Sequence, residues 1–205
     1  MRNAFPQRLK KKGCTLAGVP PLELEAIYYE EVYERVSNLR GRGTSIQNNE
    51  LDTIKESSRR KLVRNWGEWI KEMTQEGDTI LGVIGGQLRE WLNAEVGLSF
   101  RMTQVLTGHG CFWRFLCRIG REASNRCWHC DALNDSAGHT LRYCPAWEVE
   151  RAELRGVIGL DLSLKAVIKL IRREEGKQKF HSFCERVMSR KEAAERDREG
   201  VNPMT

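Results

Sequence analysis

Apolar residues recur every three or four positions along most of the chain, and no segment shows sustained alternation in twos. The pattern therefore predicts a mainly α-helical protein without sheet. From Leu22 to Leu39 the stripe is Leu24, Tyr28, Val32, Val36 and Leu39, with acids gathered in the early turns where a helix dipole favours them. The break at Gly41-Arg42-Gly43 ends it. Asn48 and Asn49 are suited to cap a longer helix with apolar positions at Leu51, Ile54, Leu62, Trp66, Trp69 and Met73. Its other side carries Arg59, Arg60, Lys61 and Arg64, read as a solvated basic face. Between Asp78 and Trp91 the glycines Gly82, Gly85 and Gly86 weaken any helix. Leu98 to Leu106 and Phe112 to Ile119 predict two helices meeting at the turn Thr107-Gly108-His109-Gly110. Trp147 to Val157, Leu162 to Ile171 with Ser163 as a cap, and Phe180 to Met188 predict further helices.

The two ends read differently. Met1 to Pro21 holds Arg2, Arg8, Lys10, Lys11 and Lys12 and no acid, and closes on Pro20-Pro21, a loose basic arm. Ser189 to Thr205 is nearly all charge and is expected to fray. The organisation expected is thus an arm over 1–21, a helical segment over 22–96, a cysteine- and histidine-rich region over 97–160, and C-terminal helices with a charged tail over 161–205. There is no internal repeat.

Composition narrows the classes. A chain of 205 residues is long enough for one domain or two small ones, which argues against a large catalytic assembly. The longest apolar run, Thr79 to Gly86, is far short of the roughly 18 to 20 residues of a membrane span. Met1 to Lys12 has neither an apolar run behind it nor a small-residue cleavage pattern, so no secretory signal is expected. That places the chain inside the cell, nuclear or cytoplasmic, in a reducing compartment. Seven cysteines there are ligands or core rather than a disulfide framework.

Cys127 and Cys130, followed by His139 and Cys144, spell C-x2-C-x8-H-x4-C. Two cysteines separated by two residues can turn both sulfurs toward one ion, and a second pair returning to it completes a tetrahedral zinc site. Asn134, Asp135 and Ser136 are suited to reverse the chain and to start a short helix bearing His139, which Cys144-Pro145 then ends. The bland alternative, four unrelated core cysteine and histidine side chains, leaves a loop of low apolar content with nothing to hold it. Three thiolates and one imidazole fill the shell, so the Zn2+ is structural, a CCHC knuckle embedded in a small helical fold. His129 must point away from the ion. Cys14, Cys111, Cys117 and Cys184 are read as core.

Arg101, Arg114, Arg118, Arg121 and Arg126 surround this loop with only Glu95 and Glu122 near them in sequence, interleaved with Phe112, Trp113, Phe115, Trp128 and Tyr143. Cations with flat apolar surfaces suit single-stranded nucleic acid, whose phosphates and unpaired bases need both. Phe112 and Phe115 are read as helix core. Trp128 is either core or a surface for stacking on a base. Arg114, Arg118, Arg121 and Arg126 are the candidate phosphate contacts. His109 is either a hydrogen-bonded residue of its turn or part of the same surface.

The run from Thr103 to Phe112 (TQVLTGHGCF), the knuckle, and Cys144-Pro145-Ala146-Trp147 with Arg151 beyond resemble the C-terminal region of non-LTR (type-I) retrotransposon reverse transcriptases. Insect ribosomal-DNA-inserting and jockey-like elements are the closest fit. Leu16 to Leu24 resembles the segment after the polymerase in the same polyproteins, and Trp66 and Trp91 fall where that family has tryptophans. The resemblance implies a portion of a polyprotein that combines endonuclease, reverse transcriptase and this region, with RNA or single-stranded target DNA as partner, alongside the rest of the polyprotein. The family's polymerase needs adjacent aspartates for two metal ions, and this sequence has none. No constellation matches the family's nuclease either, so the chain is not expected to polymerise or cleave alone. Met1 to Lys12 departs from the family pattern, which reads as a truncated or degenerate copy or a gene opened at a convenient methionine. The rival reading is a zinc-stapled structural or protein-interaction module, its cue the amphipathic first two helices.

Overall fold

A computed structural model describes residues 13–43, 45–74 and 79–201, with the side chains of 199–201 excepted. Among the described residues the regular structure is helical throughout. The chain divides into two compact units, Met1–Glu95 and Val96–Thr205.

The first unit is built on a helical hairpin. Helix α1 (Leu22–Gly41) lies along α2 (Asn48–Met73) in antiparallel register. The register follows from paired side chains: Lys61 bridges Glu31 at 2.7 Å, and Arg35 donates to Ser57 Oγ at 2.6 Å. The Lys61 ammonium is the main reason the Glu31 carboxyl is held below the usual range. The N-terminus of α2 is closed one residue earlier than the asparagines suggest. Gln47 is the cap, its backbone N–H donating to Glu50 at 3.1 Å in a capping box.

Buried positions on α2 are Ile54, Ser58, Leu62, Trp66 and Ile70. The glycine-weakened segment forms two short helices, α3 (Ile80–Gly85) and α4 (Leu88–Asn93), packed on α2. A β-carbon on Gly85 would stand 2.5 Å from Ile70 Cγ2, so only glycine admits the close approach of α3 to α2. The expected loose arm ends sooner than Pro21. Residues 13–17 form a helical turn with Thr15 and Leu16 buried, and the Thr15 carbonyl accepts from Trp91 Nε1 at 3.1 Å. The rest of the arm, 1–12, lies outside the described residues.

The second unit is organised by one long helix. It contains α5 (Phe100–Thr107), α6 (Trp113–Arg118), α7 (Ala137–Arg142), a 3-10 turn (Pro145–Trp147), α8 (Glu148–Ile158), α9 (Leu164–Leu170) and α10 (Glu174–Val201). Ser99, Ser136 and Ser163 cap α5, α7 and α9, each hydroxyl accepting a backbone N–H three residues on. Helix α10 packs against α5, α8 and α9. Its Phe180, Phe183, Cys184, Val187 and Met188 are buried, as are Met102, Val105 and Leu106 of α5 and Leu154 of α8.

The fraying expected from Ser189 to Thr205 does not occur over 189–201, and 202–205 lie outside the described residues. Helix α10 runs on to Val201, and Lys191 within it is 2% exposed. The reason is that its charges have partners in the fold: Arg101 bridges Glu185 and Glu192, Arg190 bridges Glu150, and Lys191 bridges Asp135.

Candidate metal centre

Asp135 is the hub from which the loop is built. Its carboxylate is fully buried and accepts from Lys191 Nζ at 2.8 and 2.9 Å, from the Trp113 backbone N–H at 3.1 Å and from Thr140 Oγ1 at 3.4 Å. Trp113 is the first residue of α6, so the carboxylate also satisfies an orphan donor at that helix N-terminus. The Asp135 backbone ties both neighbours, its N–H donating to the Asn125 carbonyl at 2.7 Å and its carbonyl accepting from Arg114 N–H at 3.1 Å. Loop, α6 and α10 thereby converge on one side chain.

Around that hub the chain reverses twice. Cys127 and Cys130 sit in a turn closed by Asp131 N–H on the Cys127 carbonyl at 2.8 Å, with Asp131 in the left-handed region at φ 61°. Aspartate is among the few residues that tolerate that conformation. Ser136 then starts α7, which carries His139, and the His139 carbonyl accepts from both Tyr143 and Cys144 N–H at 2.8 Å, turning Cys144 back toward the first pair. The turn is clamped by Arg151. Its buried guanidinium donates to the Thr140 carbonyl at 3.1 Å and to the Cys144 carbonyl, and it is paired with Glu148 at 2.9 Å. An arginine fork suits two carbonyls and a carboxylate at once.

The result brings Cys127, Cys130, His139 and Cys144 together, their ligand atoms all within 4.8 Å of one another. Cys127 Sγ and Cys144 Sγ lie 3.9 Å apart, and Cys130 Sγ and His139 Nε2 3.2 Å. Two thiolates on a tetrahedral zinc at about 2.3 Å stand about 3.8 Å apart, so the donor set is sized for such an ion. The cluster is able to chelate a metal. Burial pushes the Cys127 thiol up to about 12 and raises Cys144, and burial also lowers His139. Thiols that resist ionisation give up their protons to a bound cation, whereas an imidazole that stays neutral already offers its lone pair.

His129 points elsewhere. It is half-buried with its ring 4.7 Å from Trp147, and burial lowers its pKa to about 4. Cys111 and Cys184 are buried, Cys14 and Cys117 half-buried, and all four lie outside the cluster. Burial is the first cause raising the Cys111 thiol to about 12.

Of the candidate contact residues, Arg114 and Arg126 are exposed at the loop, Arg126 donating through Nε to the Asp131 carbonyl at 3.2 Å. Arg118 lies over the Phe115 ring at 5.2 Å, and Arg121 faces Glu195 at 3.6 Å. Trp128 is 60% exposed, with its other side on Trp113, centroids 5.3 Å apart, and on Arg198 at 5.1 Å. Arg198 also covers Trp113 at 4.2 Å. The basic surroundings are therefore less bare than sequence neighbours imply, because α10 brings Glu185, Glu192 and Glu195 to Arg101 and Arg121. His109 packs edge-on to Phe115, centroids 4.8 Å apart, in a turn that needs Gly110, where φ is 101° and a β-carbon would meet Gln104 at 2.6 Å.

Sequence reasoning gave no role to Lys191 or Arg198 beyond a tail, and read Asp135 as a turn residue. Only Arg151 carried a signal, as part of a resemblance. No helix among the described residues is long and apolar enough to cross a membrane. No protein-family model, curated protein or solved structure matches the chain.

Proposed function

We propose that the second unit is a zinc-stapled nucleic-acid-binding module, the C-terminal portion of a non-LTR retrotransposon polyprotein that engages RNA or single-stranded target DNA. The observation that carries this reading is the closed Cys127, Cys130, His139 and Cys144 cluster with Trp128 exposed on the same turn. The four side chains would hold Zn2+, which supplies a fold staple and no reactive position, since three sulfurs and one imidazole complete its shell. Arg126 provides an exposed cation at the loop, with Arg114 and Arg118 on the adjoining α6 and Arg121 at its exit. Trp128 offers one ring face to an unpaired base.

The test is zinc content of the purified chain beside Cys127→Ser, followed by binding of single-stranded RNA and DNA at two salt concentrations. One zinc per chain, lost in the variant together with salt-sensitive binding, supports the module. Substituting Arg114, Arg118, Arg121 and Arg126 together should weaken binding and reduce the salt slope by about 0.7 per lost single-strand phosphate contact. Unchanged affinity and slope would remove them from the site.

A second reading is a zinc-stapled structural or protein-interaction module. It is favoured by α1, a long helix with no buried residue. Stoichiometric zinc without any nucleic-acid binding would select it.

A further inference from the structure

Helix α1 is 20 residues long, and in proteins most of a helix's stability comes from an apolar face that packs rather than from propensity. In α1 that face is the half-buried stripe Leu24, Tyr28, Val32, Val36 and Leu39, and the helix lies on α2. A second apolar stripe is left over. Leu22, Tyr29 and Tyr33 are 77%, 62% and 73% exposed. At 3.6 residues per turn these three, with exposed Ala26 among them, fall within about 60° of arc, centred about 110° round the helix from the packed stripe. Tyr29 is steadied by an edge contact with Tyr28, centroids 5.1 Å apart.

Glu23, Glu30 and Glu34 line one side of this stripe, all exposed and in no ion pair among the described residues, whereas Glu31 meets Lys61 of α2. In a chain of net charge +6 this is a local inversion of sign. Phosphates are repelled by it. A second copy docking by the same face would set these glutamates against each other, because a two-fold interface brings a patch onto itself.

We propose that this face of α1 docks a partner protein through a basic amphipathic segment, apolar side chains covering Leu22, Tyr29 and Tyr33 and Lys or Arg side chains meeting Glu23, Glu30 and Glu34. Exposed tyrosines bordered by a row of charge suit an energetic contact patch, and an apolar stripe beside a charged row is a pattern by which one helix reads another. The proposal goes beyond the nucleic-acid reading and uses none of its residues, so each can fail without the other.

The experiment titrates the full chain with a synthetic peptide bearing leucines on one helical face and lysines on its flanks, beside the same peptide with glutamate in place of lysine. The expected result is one-to-one, salt-sensitive binding of the lysine peptide alone. It should weaken at least tenfold in Tyr29→Ala/Tyr33→Ala and several-fold in Glu30→Gln/Glu34→Gln, while circular dichroism and zinc content stay unchanged because these side chains are exposed. Absent binding, equal binding of the glutamate peptide, or full affinity in the tyrosine variant would overturn the proposal. So would sedimentation showing a wild-type dimer that the tyrosine variant converts to monomer, which assigns the face to a second copy.

Discussion

Replacing Lys191 by Met tests whether the loop that carries the cysteine and histidine cluster is held by α10. The substitution keeps the aliphatic stem and removes the ammonium, from which both Asp135 oxygens accept and which lies over the Phe112 ring. The side chains of Lys191 and Asp135 are 1% and 0% exposed, so the surviving carboxylate has no water to turn to. Breaking a buried pair from one side costs about 3 to 5 kcal/mol. The Trp113 N–H and the Thr140 hydroxyl remain on Asp135, which places the expected loss near the lower bound, about 3 kcal/mol. Removing the orphaned charge as well, in Lys191→Met/Asp135→Asn, should recover at least half of that, since Asn retains an acceptor for Trp113. The assay is urea unfolding of the cobalt-loaded chain, because the visible absorption of a sulfur-ligated cobalt centre reports the second unit alone. A loss under about 1 kcal/mol, or a double variant no better than Lys191→Met, would refute the assignment of Asp135 as the hub.

Arg151→Lys should weaken metal binding about 10- to 100-fold in a chelator competition, because an ammonium cannot serve the Thr140 and Cys144 carbonyls and Glu148 together. Gly85→Ala should cost about 1 to 3 kcal/mol in thermal unfolding through the clash with Ile70, whereas Gly67→Ala, mid-helix with nothing within 4 Å, should stabilise by about 0.5 to 1 kcal/mol. Equal effects of the two would disprove the close approach of α3 to α2. Metal affinity should rise with pH near neutrality. Burial raises the Cys127 and Cys144 thiols, so binding must expel their protons, while His139, lowered by burial, arrives already neutral. Plotted against pH, the logarithm of the apparent association constant should climb with a slope of two or more, and a flat profile between pH 6.5 and 8 would contradict a thiol-rich site.

The α1 stripe was readable in sequence because a period of three and four residues is a property of the helix alone, and each of its five positions is half-buried against a mostly exposed remainder. On α2 the period gave the helix and the buried Ile54, Leu62 and Trp66, but it passed over Ser58 and Ile70. The buried residues Ile54, Ser58, Leu62, Trp66 and Ile70 step by four, so the packed line winds around the helix and leaves Met73 39% exposed. A serine completes that line because its hydroxyl reaches Glu31 at 3.1 Å on α1. The four metal-binding side chains were legible because ligand geometry constrains spacing over a short stretch. What orients them was not. The Asp135 and Lys191 pair joins residues 56 apart, and the buried lysine was indistinguishable in sequence from its solvated neighbours. A run of charge says nothing about which charges have partners until the fold supplies them.

Helix α10 spans 28 residues, about 42 Å at the helical rise, and gathers contacts from both ends of its unit. Arg101 meets Glu192 at a separation of 91 residues, and Asp135 meets Lys191 at 56. Contacts so distant along the chain make closure slow, since the intervening loops must be ordered before any contact rewards them. During synthesis the cysteine turn emerges well before the lysine that completes its support. A nascent chain thus holds its thiols beside an unpaired Asp135 until α10 has left the ribosome, and a stop codon just before Lys191 would leave every ligand present and the centre unsupported.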